Sequence, residues 1–122
     1  MVYILLDTLS YLQDYHKPNT LKMIAKGGYI YFVSNKSRTV LYLGVTANLY
    51  TRIWQHKNNQ GSAFTKKYKC HDLLYYEFYD SIEAAIQREK QLKKWRRSWK
   101  DEMIQKFNPR WEDLFSKVEE FQ

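Results

Sequence analysis

A chain of 122 residues has room for one compact domain, and with 44% apolar and 17% aromatic residues it carries too much core-forming material to be disordered. Its single cysteine, Cys70, rules out an internal disulfide and a zinc site built on thiolates, and points to a reducing, cytoplasmic setting. Twenty Lys plus Arg against 13 Asp plus Glu leave a formal charge of +7, the balance of a protein that meets polyanions, with a merely lysine-rich surface as the alternative.

Residues 1–22 are set off by the turn-rich "HKPNT" around Pro18. With Met23 available as an internal start, they are expected to form a weakly ordered N-terminal extension, and 23–122 the domain; the alternative is a helix or strand packed on that domain. "MVYILLDTLSYLQDY" opens on an apolar run, but it lacks a basic n-region and a small-residue cleavage site, and no stretch approaches the ~20 apolar residues of a membrane span. From Tyr29 the chain alternates. Tyr29, Tyr31 and Val33 share one face, Ile30 and Phe32 the other; "NKSR" turns; Val40, Tyr42 and Gly44 then alternate with Leu41, Leu43 and Val45. This is the pattern of an antiparallel hairpin.

Thr46 is the expected cap of a helix over "ANLYTRIWQHKN". "NNQGSAFTKKYKCHD" reads as a long basic loop, and "LLYYEFYD" as a third strand rich in aromatic and β-forming residues. Ser81 caps a second helix over "IEAAIQREKQLKKW", and "RRSWKDEMIQKF" forms a shorter one that ends before Pro109. The order β-β-α-β-α-α predicts an α+β domain: a small three-stranded antiparallel sheet flanked by helices.

Three charged or titratable positions sit where apolar ones belong. At about 100° per residue, Leu49, Arg52, Ile53 and His56 fall in one sector of the first helix, so Arg52 and His56 lie on its inward stripe, the alternative being its edge, with the arginine stem packed and its head in water. Glu89 lies within the apolar arc of Ile82, Ala85, Ile86 and Leu92 on the second. An inward carboxylate needs a partner, and three are open: Lys93 one turn on, Arg52 across the fold, or a hard divalent ion that accepts carboxylate oxygen. "FTKKYK", with Lys66 and Lys67, and "KKWRRSWK", with Lys93, Arg96 and Arg97, interleave cations with aromatics and suit nucleic-acid binding. Cys70 beside His71 suggests thiol chemistry only weakly, because no orienting group accompanies it.

Together these residues resemble the GIY-YIG nuclease superfamily, and within it the small stand-alone bacterial proteins similar to the nuclease domain of UvrC. Gly28-Tyr29-Ile30 matches the first motif and Tyr42-Leu43-Gly44 the second, with leucine in place of isoleucine. "GVTANLYTRIWQHK" is similar to the family's arginine helix, which puts Arg52 and His56 at its arginine and histidine positions; Glu89 matches the acidic metal-binding position and Asn108 the asparagine of the closing motif. The likeness covers about residues 27 to 114 and leaves out 1–22.

The resemblance implies the three-stranded fold, one Mg²⁺ or Mn²⁺, no small-molecule cofactor, and hydrolysis of DNA phosphodiesters in repair or processing, with branched or single-stranded DNA as candidate substrates. It makes Tyr29 the general base and Tyr42 an aid to positioning the attacking water. A phenol with a pKa near 10 serves as a base at neutral pH only where positive charge favours the phenolate, and Arg52 and a protonated His56 have the right sign. Arg52 would stabilise the phosphorane-like charge and Glu89 would hold the metal. The alternative is a non-catalytic nucleic-acid-binding module using the same basic surface. An RNA-recognition domain, loosely echoed in "KGGYIYFV", has a different element order.

Overall fold

Tyrosine, valine and leucine at alternating positions give both hairpin arms two buried faces, and that fixes the middle of the domain. The computed structural model describes residues 27–118. Strands β1 (Gly28–Ser34) and β2 (Leu41–Thr46) pair antiparallel, and β3 (Asp72–Tyr79) pairs antiparallel with the other side of β1, giving the sheet order β2-β1-β3. Helices α1 (Leu49–Lys57) and α2 (Ala63–Lys67) lie between β2 and β3. Helices α3 (Ile82–Lys93) and α4 (Arg97–Phe107) follow β3, and a short 3₁₀ turn at Phe115–Lys117 closes the described chain. The α+β architecture is the one expected, with one addition.

That addition is α2, inside the stretch read as a loop. Ser62 caps it by accepting from the Thr65 amide at 3.2 Å, and its short run "AFTKK" buries Thr65. A second adjustment concerns the cap of α1. Thr46 is still strand, and its hydroxyl accepts from the Asn48 amide at 3.2 Å; Asn48 then caps the helix by accepting from Thr51 at 3.0 Å. Ser81 caps α3 as expected, accepting from Ala84 at 3.2 Å. Each such cap satisfies an amide that the helix leaves open and contributes about 1 kcal/mol.

The pleat sorts the core into two layers. Ile30, Phe32, Leu43 and Val45 face α3 and α4, where Ile82, Ala85, Leu92 and Ile104 meet them. Tyr31, Val33 and Tyr42 face the other way, onto Leu49 and Ile53 of α1. Gly28 is placed under α3, and a Cβ there would come within 2.5 Å of Ile82. The N-terminal extension and the alternative start at Met23 lie outside the described residues. No helix among the described residues is long and apolar enough to cross a membrane.

Candidate active site

Packing of Leu49 and Ile53 against the sheet carries the rest of the α1 stripe inward, so Arg52 and His56 are only 5% and 1% exposed. A buried imidazole must satisfy both ring nitrogens. Here the Tyr31 hydroxyl lies 2.8 Å from His56 Nε2, and Thr65 Oγ1 lies 3.0 Å from Nδ1. The Thr65 hydroxyl donates to the Ser62 carbonyl at 3.1 Å, so it accepts from Nδ1–H. The tautomer that follows from this network leaves Nε2 as the acceptor for the Tyr31 O–H. The hydrogen-bond chain therefore runs from Tyr31 through His56 to Thr65 and the Ser62 carbonyl.

Burial, and then the charges of Arg52 and His71, hold the His56 pKa far below its usual value, at about 3. His56 is thus neutral at pH 7, which leaves Arg52 as the positive charge of the pair: an imidazole this deep loses its hydration on protonation and faces a guanidinium besides. Two rings hold it from either side. Tyr31 is tilted against it at 5.5 Å between centroids, and Tyr42 meets it edge to face at 5.8 Å while stacking on Phe64 of α2 at 5.8 Å. Gly61 completes the enclosure, since a Cβ there would lie 2.2 Å from His56 Nδ1 and 2.9 Å from Thr65 Oγ1.

Tyr29 is not the tyrosine that reaches His56. It shares the face of Tyr31, but side chains two apart in a strand are displaced by about 7 Å along it. Tyr29 instead pairs across the sheet with Phe78 and packs on the Phe78 and Tyr76 rings at 5.2 and 6.5 Å. Burial, and then Tyr76, push its pKa up, the direction opposite to the one a phenolate base requires. In "GGYIY" two tyrosines compete for one motif position, and the structure brings Tyr31 to the imidazole. Tyr31 was readable as a candidate from alternation; Thr65 and Gly61 were not, because their stretch was read only for its charge.

Glu89 is 2% exposed, within the buried stripe Ile82, Ala85, Glu89 and Leu92 of α3. The apolar members of that stripe belong to the layer on the far face of the sheet from α1. Glu89 thus reaches the core from α3, whereas His56 reaches it from α1. It is the one acidic side chain classed as buried among the described residues, and no group of three or more His, Cys, Asp or Glu side chains there could cage a metal. A single carboxylate is nonetheless a donor set that fits Mg²⁺, which keeps several waters and takes its remaining ligands from substrate phosphate.

Asn108 does not face the site. Its Nδ2 donates to the carbonyls of Leu74 at 3.1 Å and Glu112 at 2.8 Å, and its Oδ1 accepts from the Glu112 amide at 3.2 Å. Every amide hydrogen is committed to backbone, so Asn108 fastens the segment after α4 to β3.

Of the expected surface cations, Lys66 and Lys67 are exposed on α2, Lys93 is half-buried in the last turn of α3, and Arg96 lies 4.7 Å over the Trp99 ring. Arg97 is exposed but engaged, with Asp101 at 2.7 Å and the carbonyls of Thr39 and Arg38 at 3.2 and 3.1 Å. It ties the start of α4 to the hairpin turn.

Comparison with known proteins agrees with this frame. The chain is 33% identical over 79 residues to a UPF0213 protein of Pediococcus pentosaceus, covering 65% of this chain and 83% of that one. Over 81 residues it is 32% identical to one of Natronomonas pharaonis, covering 66% and 94%. A Staphylococcus saprophyticus relative is 36% identical over 76 residues, covering 62% and 92%. No solved structure matches the chain significantly. The family model described as the GIY-YIG catalytic domain matches residues 27–108, well over half of the chain, which therefore belongs to the GIY-YIG family, a nuclease superfamily that acts on nucleic acid.

Proposed function

We propose that this protein is a divalent-metal-dependent DNA endonuclease that hydrolyses phosphodiester bonds with Tyr31, in place of Tyr29, as the group that takes the proton from the attacking water. The observation that carries the reading is a phenol hydrogen-bonded at 2.8 Å to the acceptor nitrogen of a neutral, buried imidazole. As water loses its proton to Tyr31 O, the phenol proton moves to His56 Nε2, and Thr65 holds Nδ1–H in place. Free tyrosine ionises near pH 10, so the relay lets a phenol act as a base without ever being a stable phenolate.

Arg52 sets the gate on that transfer. Its charge, with burial, disfavours the imidazolium in the free protein. A phosphodiester anion near Arg52 would offset the second of the two effects that lower the His56 pKa, the first being burial, and so would ease proton transfer to Nε2. Arg52 also faces the charge that builds up on the phosphoryl oxygens. Tyr42 keeps the imidazole upright and orients the water, and Tyr29, at the rim with Phe78, offers a ring to a neighbouring nucleotide. Glu89 would hold one Mg²⁺ or Mn²⁺, which when bound would supply Lewis-acid stabilisation of the phosphoryl oxygens and the leaving 3′ oxygen. A place in DNA repair or processing belongs to the same reading, on the likeness to the UvrC nuclease domain.

The test is cleavage of supercoiled, single-stranded, flap and branched DNA with Mg²⁺ or Mn²⁺, for the wild type and for Tyr31→Phe, Tyr29→Phe and Glu89→Ala. Wild-type cutting that Tyr31→Phe and Glu89→Ala abolish, and Tyr29→Phe largely keeps, is expected. Absence of cutting on every substrate, or a Tyr31→Phe protein as active as wild type, would overturn it.

A further inference from the structure

Trp99 stands 47% exposed on α4, although a tryptophan ring is among the costliest side chains to leave in water. It meets Trp95 edge to face at 6.0 Å, and a guanidinium covers each ring: Arg88 at 5.6 Å from Trp95 and Arg96 at 4.7 Å from Trp99. Concavities of about 400 and 470 Å³ open on either side of the pair, and Lys90, Lys94 and Lys106 stand among their walls. Arg88 is already paired with Glu77, but an apolar partner would have to desolvate Arg96 and the lysines without pairing them. A polyanion that also presents flat rings pairs the cations and covers the indoles at once.

This platform does not stand apart from the rest of the basic surface. Arg97 binds the carbonyls of Arg38 and Thr39, which holds the first turn of α4 beside the hairpin turn. On that turn, Lys36 lines a groove of about 550 Å³ together with Lys69 and His71, in the segment that follows α2. Helix α2 in turn carries Thr65, the partner of His56. Lys100, one residue from Trp99, is held below the usual ammonium range by burial and then by Arg97, while Glu102 stands beside Lys106 in the wall of one concavity.

We propose that the Trp95–Trp99 pair with Arg96 is a stacking platform for single-stranded DNA, reached from the tyrosine–histidine site along the hairpin turn. It deepens the nuclease reading and rests on it for the choice of DNA: the substrate is a DNA with a single-stranded arm, and the platform holds that arm. Bases stack on Trp99, while Arg96 and the lysines meet phosphates. A duplex, whose bases are already stacked on one another, gains nothing from the indole.

The experiment measures binding and cutting separately. Affinity is read by anisotropy in EDTA, using labelled oligo-dT of about 20 nucleotides, the same length of duplex, and oligo-U. Trp99→Ala should weaken oligo-dT binding by about 5- to 150-fold, the loss of one base stack, and leave duplex binding unchanged; Trp99→Phe should keep most of the affinity. Arg96→Gln should lower the salt dependence by about one counterion for either form. Wild-type affinity in Trp99→Ala, or an equal loss for duplex and single strand, overturns the platform. Tighter binding of oligo-U than of oligo-dT overturns the choice of DNA. Trp99-dependent binding in a protein that cuts nothing would remove the nuclease reading and leave the platform standing.

Discussion

Two polar clusters built from similar residues occupy opposite faces of the sheet, and they behave differently. On the α3 face, the Glu77 carboxylate is saturated. The Tyr79 hydroxyl and Arg88 Nε reach Oε1 at 2.6 and 3.0 Å, while Arg88 Nη2 reaches Oε2 at 3.2 Å beside the Tyr75 hydroxyl. Burial pushes the Glu77 pKa up, but the hydrogen bonds from Arg88, Tyr75 and Tyr79 outweigh it and leave the group below its usual range. The tyrosines are raised in return, first by burial and then by Glu77. No proton there has anywhere to go. On the α1 face, Tyr31 donates to a neutral nitrogen that can accept a proton, with Thr65 holding the far side of the ring. A hydroxyl on a charge-satisfied carboxylate is a strut, whereas a hydroxyl on a neutral imidazole faces an acceptor that has not yet taken up a proton.

The largest effect that would sharpen this contrast is on rate. Tyr31→Phe should cut turnover by about 10²- to 10⁴-fold with little change in stability, whereas Tyr75→Phe should leave turnover near wild type. Single-turnover cleavage at saturating protein distinguishes them, and equal losses would erase the distinction. Next is Gly61→Ala, which forces a methyl group against the His56 ring. Displacement of the imidazole should lower the rate by about 10²-fold and cost about 1–3 kcal/mol in urea unfolding.

Smaller effects concern stability. Arg88→Met leaves the Glu77 carboxylate with its two tyrosines and no cation, for a loss of about 2 kcal/mol in urea unfolding and no loss of cutting. The α1 cluster should instead show itself through pH. The folded pKa of His56, about 3, lies below its unfolded value, so the unfolded chain binds the extra proton as pH falls. Stability from this group is therefore level above about pH 6.5 and falls by up to about 2 kcal/mol on reaching about pH 5. His56→Asn should remove that share of the slope. A slope that persists unchanged would mean His56 takes up its proton in the folded state.

The strands, the three longer helices and the burial of Arg52, His56 and Glu89 were all legible from periodicity, because a stripe with one polar member is still a stripe. What misled was local chemistry at points where neighbours compete. Thr46 and Asn48 are both good caps, and the strand claims Thr46 for its last rung. In the α2 stretch, lysines dominated the composition, yet it was Ser62 and Thr65 that shaped it. Asn108 was identified by its place in a motif, which records that a residue recurs and not whether it touches substrate or backbone.

By itself, the sequence determined the two-faced hairpin, the inward path of α1 and α3, and the family to which they belong, since these follow from spacings of two and of three to four residues that any chain must obey. Only the tertiary structure decided which of Tyr29 and Tyr31 meets His56. Both occupy the same face, and the choice depends on which one lies opposite the last turn of α1, a distance set by the register of β1 against its neighbours and by the seating of Leu49 and Ile53. The charge of His56 was decided the same way, because a proton's free energy depends on everything that surrounds the ring, and those surroundings come from five separate stretches of chain.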